Sequence, residues 1–288
     1  MKNEFFLGQG LGNNYIVLDP NNLTFPLTPG NIKKLCDRKT GVGSDGILTL
    51  EKSKKADFGL KIWNSDGSEA EISGNGLRIF AKYLHATTRT QKHFFSVETP
   101  GRCVQIAINF DAQGLVVGAS VEMGCPTFKP SQLPCTLDIK ELINQRIKVD
   151  EDELIFTGVS VGNPHCVIFN PRGYSWNRND LLKLGPKLEH HPIFPDRINV
   201  QLAEQCDVQV IRILIWERGV GETQSSGSSA CAVASAAFRI GLVDAPVTIQ
   251  SPGGCMKVER DRDFNLTLSG PVSEVKRGVL SSRLLRDL

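Results

Sequence analysis

Two serines stand at matching places in a repeated motif, and their surroundings suggest how they could act on a ligand. Trp63 precedes Ser73 and Trp216 precedes Ser226, so a shift of 153 residues superimposes one pair on the other. Each serine is followed by a glycine and then by an apolar helical pattern. A helix N-terminus carries unpaired N–H groups and partial positive charge, and it therefore attracts anions. The pair predicts two facing half-sites for one small molecule, each with a hydroxyl group at the mouth of a helix.

A serine before a helix also has a simple structural explanation. Serine is a preferred N-cap residue, and either serine taken alone would be explained as a cap. Its recurrence in both copies, next to glycine, favours a shared anion site lined by the backbone N–H groups of Gly74-Asn75 and Gly227-Ser228. The sequence has no glycine-rich phosphate loop of the Walker type, so a substrate carboxylate is the expected anion.

Further polar residues lie at predicted strand ends and tight turns in both copies. Asparagine in a turn usually satisfies its own backbone, but a set spread over both copies indicates a lining that recognises an amino acid. Arginine would clamp a carboxylate, whereas asparagine and glutamate bind carboxylate and ammonium groups. His165 could be a proton shuttle or an ordinary packed histidine. The candidate lining consists of Asn13, Asn64, Asn163, Asn199, Glu217 and Arg218.

The bulk composition narrows the class of protein. Of the 288 residues, 40% are hydrophobic and 22% charged, which predicts a globular protein of two domains. A net charge of +2 indicates no general affinity for nucleic acid or acidic membranes, and we identify neither a signal peptide nor a membrane-spanning stretch. Eight cysteines without CxxC pairs or zinc spacing predict free buried thiols in a reducing, cytoplasmic compartment.

The duplication extends beyond the serine motif. Four ordered matches, whose offsets drift by at most three residues, indicate two homologous halves of an α+β protein. We place these halves at residues 1–120 and 121–269, with residues 270–288 packing back on the first. Besides the serine motif, the matches pair residues 11–13 with 161–163, Asp45-Gly46-Ile47 with Asp196-Arg197-Ile198, and residues 99–103 with 251–255.

Hydrophobic periodicity predicts the elements that position the two serines. Residues 58–63 alternate as a strand, and residues 208–216 form a longer apolar run typical of a buried strand. The predicted helices carry core-facing stripes, and Gly241 is a plausible C-cap of the second. Residues 177–180 are predicted as a surface loop. The two helical stripes are Leu77, Phe80, Ala81 and Leu84, and Ala230, Val233, Ala234 and Ala237.

Several of these motifs resemble those of the diaminopimelate epimerase family. The resemblance runs in order from about residue 5 to about residue 260, and its motifs are specific. It is carried by residues 10–15 (GLGNNY), 41–46 (GVGSDG), 64–71 (NSDGSEAE), 74–78 (GNGLR), 162–165 (GNPH) and 217–223 (ERGVGET).

The resemblance implies a fold and a reaction. Family members have two pseudo-symmetric α+β domains, each a β-sheet wrapped around a central helix, with the active site in the cleft between them; a homodimer is also implied. They invert the α-carbon of an amino acid without pyridoxal phosphate or metal, because one thiolate removes the α-proton while a thiol delivers another. The implied reaction converts LL- to meso-diaminopimelate, a precursor of lysine and peptidoglycan. The six residues of the candidate lining match the substrate-binding positions of the family.

The chain departs from the family at the reacting groups, because Ser73 and Ser226 occupy the positions of the two cysteines. A helix N-terminus can bring a thiol to thiolate, but a serine hydroxyl is a far weaker acid. Serine becomes a base only when a neighbour accepts its proton, and His165 or Glu217 could do so. The candidate catalytic residues are therefore these four, and we expect thiol-based inversion to be lost or severely slowed.

Three explanations of the serine pair stay open at this point. The chain could be a Cys→Ser variant that traps a substrate-competent state, since each change replaces one atom. It could be a racemase or isomerase of another amino acid that uses a different base. It could also be a non-catalytic amino-acid-binding protein. Ser225 and Ser229, which stand where the family usually has alanine and glycine, favour natural drift around the site.

Overall fold

The computed structural model describes residues 2–288, which divide into two compact units. One unit ends at Glu122 and includes the last segment, Ser269–Leu288; the other is Met123–Leu268. Both units combine β-strands with helices, so the predicted α+β class is confirmed.

The elements follow one another in a recurring order along the chain. The helices are α1 (Pro29–Cys36), α2 (Gly74–Ala86), α3 (Arg178–Glu189), α4 (Gly227–Arg239) and α5 (Ser282–Asp287). The strands are β1 (Glu4–Gly10), β2 (Asn13–Leu18), β3 (Gly46–Glu51), β4 (Phe58–Asn64), β5 (Glu69–Ala70), β6 (Phe94–Glu98), β7 (Cys103–Phe110), β8 (Val116–Gly124), β9 (Gln145–Val149), β10 (Asp152–Ser160), β11 (Pro164–Phe169), β12 (Asn199–Asp207), β13 (Val210–Glu217), β14 (Gly221–Thr223), β15 (Val247–Ser251), β16 (Gly254–Arg260), β17 (Leu266–Pro271) and β18 (Ser273–Val279).

The two units repeat the same strand pairing. In the first unit β2 runs parallel to β3, β3 pairs antiparallel with β4, and β4 runs parallel to β6. In the second unit β11, β12, β13 and β15 make the same three pairings in the same order. The repeated sequence motifs therefore lie on repeated structural elements.

The strand register corrects one of the four sequence matches. Tyr15 pairs with Gly46 across β2 and β3, and His165 pairs with Asn199 across β11 and β12. The position that corresponds to Gly46 is therefore Asn199, and not Arg197 as the sequence match implied. The match was wrong because Arg197 belongs to the turn before β12, where it has a left-handed backbone with φ of 60°.

A central helix carries each serine motif. The predicted stripe of α2 is fully buried, and α2 contacts β1, β2, β7 and β18 of its own unit. The stripe of α4 is likewise buried, and α4 contacts six strands of its unit, from β10 to β16. Gly241, which follows α4, has a φ of 70°, as expected for a glycine that ends a helix. Both helices are thus packed on several sides, which fixes the direction of their N-termini.

The residues predicted as a surface loop instead begin a helix. The Asn177 side chain accepts hydrogen bonds from the N–H groups of Asn179 and Asp180, and the Asp180 side chain accepts from the Asn177 N–H. This capping box starts α3 at Arg178. The loop prediction was wrong because asparagine and aspartate are common both in turns and at helix N-termini.

The cysteines are only partly where the sequence suggested. All eight are free thiols, as predicted. Cys36, Cys166 and Cys231 are buried, but four others are exposed, because residues such as Cys103 and Cys255 take outward-facing positions of alternating strands. No helix within residues 2–288 has the length and apolar character needed to cross a bilayer.

Candidate active site

The first half-site is built around Ser73, the N-cap of α2. Its hydroxyl oxygen accepts the Gly76 N–H at 3.0 Å, which satisfies one of the unpaired donors of the helix. The same hydroxyl donates to the phenol oxygen of Tyr15 at 3.3 Å. Ser73 is partly exposed. Its hydroxyl is thus held in place while one side of the residue faces solvent.

Two asparagines predicted to bind substrate meet beside this cap. The Asn75 side-chain nitrogen donates to the Asn13 side-chain oxygen at 3.3 Å, and Asn75 is buried. The Asn13 side-chain nitrogen donates to the Asp45 carboxylate at 3.1 Å, and Arg38 donates to the other oxygen of that carboxylate at 2.7 Å. Asp45 is a residue that the sequence reasoning missed, although it lies in the conspicuous GVGSDG segment.

Asn64 lies at the exposed end of β4 in a tight turn. Its side-chain nitrogen donates to the Ser68 hydroxyl at 2.9 Å, and its carbonyl accepts the Gly67 N–H at 2.9 Å. Asn64 is exposed, and its role in substrate binding stays a prediction.

The second half-site is built around Ser226, the buried N-cap of α4. Its hydroxyl oxygen accepts the Ser229 N–H at 3.4 Å and lies 3.3 Å from the Ser228 hydroxyl. The Ser228 hydroxyl in turn accepts the side-chain N–H of Asn163 at 3.4 Å. Three residues of the predicted site, one just before β11 and two at the N-terminal end of α4, are therefore brought together.

A carboxylate adjoins this second serine. The Glu217 side chain lies close enough to Ser226 for that serine to lower its pKa, and it accepts the Thr223 hydroxyl at 3.2 Å. Burial raises the pKa of Glu217, and Ser226 and Thr223 only partly oppose that rise. A carboxylate with a raised pKa is a better proton acceptor, and a role of Glu217 as the base for Ser226 stays a prediction.

His165 is fully buried and stays uncharged at neutral pH. Burial lowers its pKa to about 3, and the Gln201 side chain opposes that shift only in part. Its Nε2 lies 2.9 Å from the side-chain oxygen of Asn163, an acceptor, so this nitrogen carries the proton. The arrangement orients Asn163, and a proton-shuttle role for His165 stays a prediction.

Asn199 and Arg218 differ in how much of their side chains a ligand could use. Asn199 is buried, donates to the Pro164 carbonyl at 2.8 Å and accepts the Arg218 N–H at 2.9 Å. It therefore ties β11 to the turn after β13. The Arg218 guanidinium is exposed and donates to the Asp196 carbonyl at 3.2 Å, which leaves further N–H groups for a carboxylate.

Glu189 at the end of α3 is a second residue that the sequence did not reveal. Its buried carboxylate accepts the Trp216 indole N–H at 2.7 Å and the Gly219 N–H at 2.8 Å. These two bonds hold the turn that carries Glu217 and Arg218. Glu189 was missed because an acidic residue in a helix is usually exposed, and its partners lie far along the chain.

Comparison with known sequences identifies the family of the chain. A family model described as diaminopimelate epimerase matches residues 5–129 and 157–275. The chain is 42% identical over 282 residues to diaminopimelate epimerase 2 from Nostoc sp., which covers 98% of this chain and 96% of that protein. It is 36% identical over 276 residues to diaminopimelate epimerase from Desulfitobacterium hafniense, which covers 94% of this chain and 95% of that one.

Solved structures share the fold at much lower sequence identity. A probable proline racemase from Agrobacterium radiobacter matches with a TM-score of 0.70 at 11% identity, covering 97% of this chain and 93% of that one. A hydroxyproline epimerase from Agrobacterium vitis matches with a TM-score of 0.69 at 12% identity, covering 96% and 90%. With the sequence matches spanning nearly the whole length, the chain belongs to the diaminopimelate epimerase family.

Proposed function

We propose that this chain is a cofactor-independent isomerase that acts at the α-carbon of diaminopimelate or a closely similar amino acid. The observation that carries the proposal is the pair of serine-capped helices, which begin at corresponding positions of the two repeated units. In this proposal Ser73 and Ser226 are the proton-transfer groups, and the N–H groups of Gly74-Asn75 and Gly227-Ser228 bind a substrate carboxylate.

The two serines differ in the base available to them. Glu217 can accept the proton of Ser226, so this pair provides a base without a thiol. Ser73 donates to Tyr15, and a neutral phenol is a poor proton acceptor. We therefore propose that proton removal on the Ser226 side outpaces proton transfer on the Ser73 side.

The binding groups supply the part of catalysis that needs no thiol. Removing the α-proton places negative charge on the carboxylate oxygens, and N–H groups at a helix N-terminus stabilise that charge. Arg218, with free guanidinium N–H groups, and the asparagines would hold the second amino-acid head of the substrate. The proposed enzyme is therefore slow in proton transfer but intact in recognition.

Exchange of the α-proton in heavy water tests this proposal. The chain is incubated with LL- and with meso-diaminopimelate, and the α-proton signals are followed by NMR beside chiral chromatography of the products. We expect loss of an α-proton signal with little accumulation of the other stereoisomer. A raised melting temperature without exchange favours the second candidate, a non-catalytic amino-acid binder in which the two hydroxyls act only as N-caps. If neither ligand raises the melting temperature or exchanges, the substrate assignment is wrong.

We further propose a cytoplasmic location and a homodimer. The location is supported by eight free cysteines, which suit a reducing compartment. The homodimer is a family-level expectation, and light scattering after size-exclusion chromatography would test it, with a mass near 31.6 kDa contradicting it.

A further inference from the structure

Arg78 is fully buried in α2, one turn after Ser73, and the proposed reaction leaves it without a role. A buried guanidinium group is costly unless acceptors surround it. Its Nη1 donates to the Gly74 carbonyl at 3.3 Å, and its Nη2 donates to the Asn75 side-chain oxygen. Both acceptors belong to the turn whose N–H groups are proposed to bind the substrate carboxylate.

The bond to Asn75 begins a chain of hydrogen bonds with a fixed direction. Asn75 donates to Asn13, and Asn13 donates to Asp45. A guanidinium group can only donate and a carboxylate can only accept, so each of the two amides between them has one orientation. Each amide still has one N–H and one oxygen lone pair that these bonds do not use, and the direction of both is fixed. Arg78 therefore determines which groups Asn13 and Asn75 offer to a ligand.

The charge of Arg78 acts on the same turn. Its guanidinium lies within hydrogen-bonding distance of Gly74, so a full positive charge reinforces the partial charge of the helix N-terminus. Because the group is buried, solvent screens it less than it would a surface charge. An anion at the N–H groups of Gly74-Asn75 is stabilised by both.

The second unit lacks this charge. The residue 153 positions after Arg78 is Cys231, a buried thiol in the first turns of α4. A thiol has no fixed charge, and it lacks the several N–H donors with which a guanidinium group binds a turn. The positive support is thus specific to the Ser73 half-site.

We infer that Arg78 is a positioning residue that orients the Asn13 and Asn75 amides and strengthens carboxylate binding at the N-terminus of α2. The inference rests on the proposed function in one respect, because it takes the substrate carboxylate as the anion bound there. Arg78 itself acts through the amides and the turn.

Calorimetric titration with meso-diaminopimelate tests the binding part. Arg78→Met is expected to raise Kd by about tenfold to hundredfold, since it removes a hydrogen-bond donor that is also a charge. Arg78→Lys, which keeps the charge but not the planar fork, should raise Kd less. The analogue with an α-carboxamide should show a smaller effect of Arg78→Met than the carboxylate ligand. The matched control at the corresponding position, Cys231→Ala, should leave Kd unchanged.

A loss of folded protein would lower the binding stoichiometry and affect both ligands equally, which separates instability from positioning. An unchanged Kd in folded Arg78→Met overturns the inference while leaving the proposed function intact. If Arg78→Met fails to fold, Arg78→Lys decides in the same way. Failure of the unaltered chain to bind meso-diaminopimelate overturns the proposed function instead.

A ligand-free measurement tests the orienting part independently. In Arg78→Met the side-chain NH2 signals of Asn13 and Asn75 should shift, and their exchange with water should accelerate about tenfold because the chain has lost its donor end. Cys231→Ala should leave those signals as they are. NH2 signals with unchanged shifts and exchange rates in folded Arg78→Met, or in Arg78→Lys if the first variant does not fold, would contradict the inference whatever the ligand.

Discussion

The turn before α2 and the turn before α4 have the same backbone plan but rest on different side chains. Ser73 donates to a phenol, and a buried arginine donates to the glycine after it; Ser226 lies near a carboxylate, and a buried thiol occupies the position that corresponds to the arginine. The first turn therefore has a fixed positive charge and a phenol, whereas the second has a carboxyl group and no positive charge at the position that corresponds to Arg78. We therefore propose that the first half-site mainly binds the carboxylate and the second mainly moves the proton.

The same contrast holds along the supporting strands. Tyr15 corresponds to His165 and Gly46 to Asn199, as the register of the parallel strands shows. The duplicated fold keeps the direction of its strands and helices while the side chains at corresponding positions have diverged. A symmetric backbone can thus carry an asymmetric reaction.

Replacing both serines by cysteine should produce the largest change in the rate of inversion, because both half-sites then carry a thiol. The variant Ser73→Cys with Ser226→Cys is expected to invert diaminopimelate about 10² to 10⁴ times faster, because an efficient general acid–base pair contributes about that much. Chiral chromatography of the product measures it. The double alanine variant, which keeps neither thiol nor hydroxyl, should be no faster than the unaltered chain. A double cysteine variant that binds the ligand without faster inversion would contradict the assignment of these two positions.

Removing the carboxylate near Ser226 tests whether the second half-site supplies the base that removes the α-proton. Glu217→Gln keeps the shape of the side chain but cannot accept a proton, so α-proton exchange in heavy water should fall about hundredfold. Glu222→Gln is the control, because the Glu222 carboxylate binds Arg178 at 2.8 Å. Equal exchange rates in Glu217→Gln and in the control would show that Ser226 uses another base.

Acid should weaken the second unit through His165. Its pKa is lowered to about 3 in the folded chain, and an unfolded histidine binds a proton near pH ~6.5. Between these two pH values the unfolded chain binds a proton at His165 and the folded chain does not. The free energy of unfolding therefore has its full value above pH ~6.5 and falls as the pH drops towards 3, by at most about 1.4 kcal/mol per pH unit.

Hydrogen exchange read by mass spectrometry can locate this loss. Between pH 7 and pH 4, after correction for intrinsic exchange rates, β11 should lose protection before β2, which carries Tyr15 at the corresponding position. His165→Gln should reduce the difference between the two strands. Equal loss of protection in both strands of the unaltered chain would contradict the account of His165.

The smallest effect is expected at Trp63 and Trp216, which occupy corresponding positions in the two units. Trp216 donates its indole N–H to Glu189, whereas the buried indole nitrogen of Trp63 lacks a hydrogen-bond partner within residues 2–288. Trp216→Phe should therefore lower the free energy of unfolding by about 1 to 3 kcal/mol more than Trp63→Phe, as measured in urea. Equal losses would indicate that Glu189 is satisfied without the indole.

Local sequence patterns were sufficient to predict the elements around the serines. Ser73 and Ser226 are both N-caps, and the apolar stripes after them are the buried faces of two helices of 13 residues each. These features depend on contacts within a few residues, which periodicity and capping preferences report well. The capping box at Asn177 was missed because the same residue types also favour turns.

The side-chain environment of the site could not be predicted in the same way. The contact of Ser73 with Tyr15, the chain from Arg78 to Asp45 and the bonds of Glu189 all join residues whose proximity depends on strand register. A register set by two-residue differences in turn length, as before β12, is not visible in periodicity. The sequence could therefore propose which residues matter, but not which of them share hydrogen bonds.

The close packing of α4 limits how a laboratory selection for faster turnover could succeed. Most residues of this helix are small and buried, and five of them are alanines without solvent exposure. Adding even a methyl group there would cost about 1 to 3 kcal/mol, so libraries that diversify the helix should yield mostly unstable clones. The preceding Ser225 is a better starting point, since its buried hydroxyl has no hydrogen-bond partner in the described part of the chain. Substitution of Ser225 by alanine should stabilise the protein before any reactive group is exchanged.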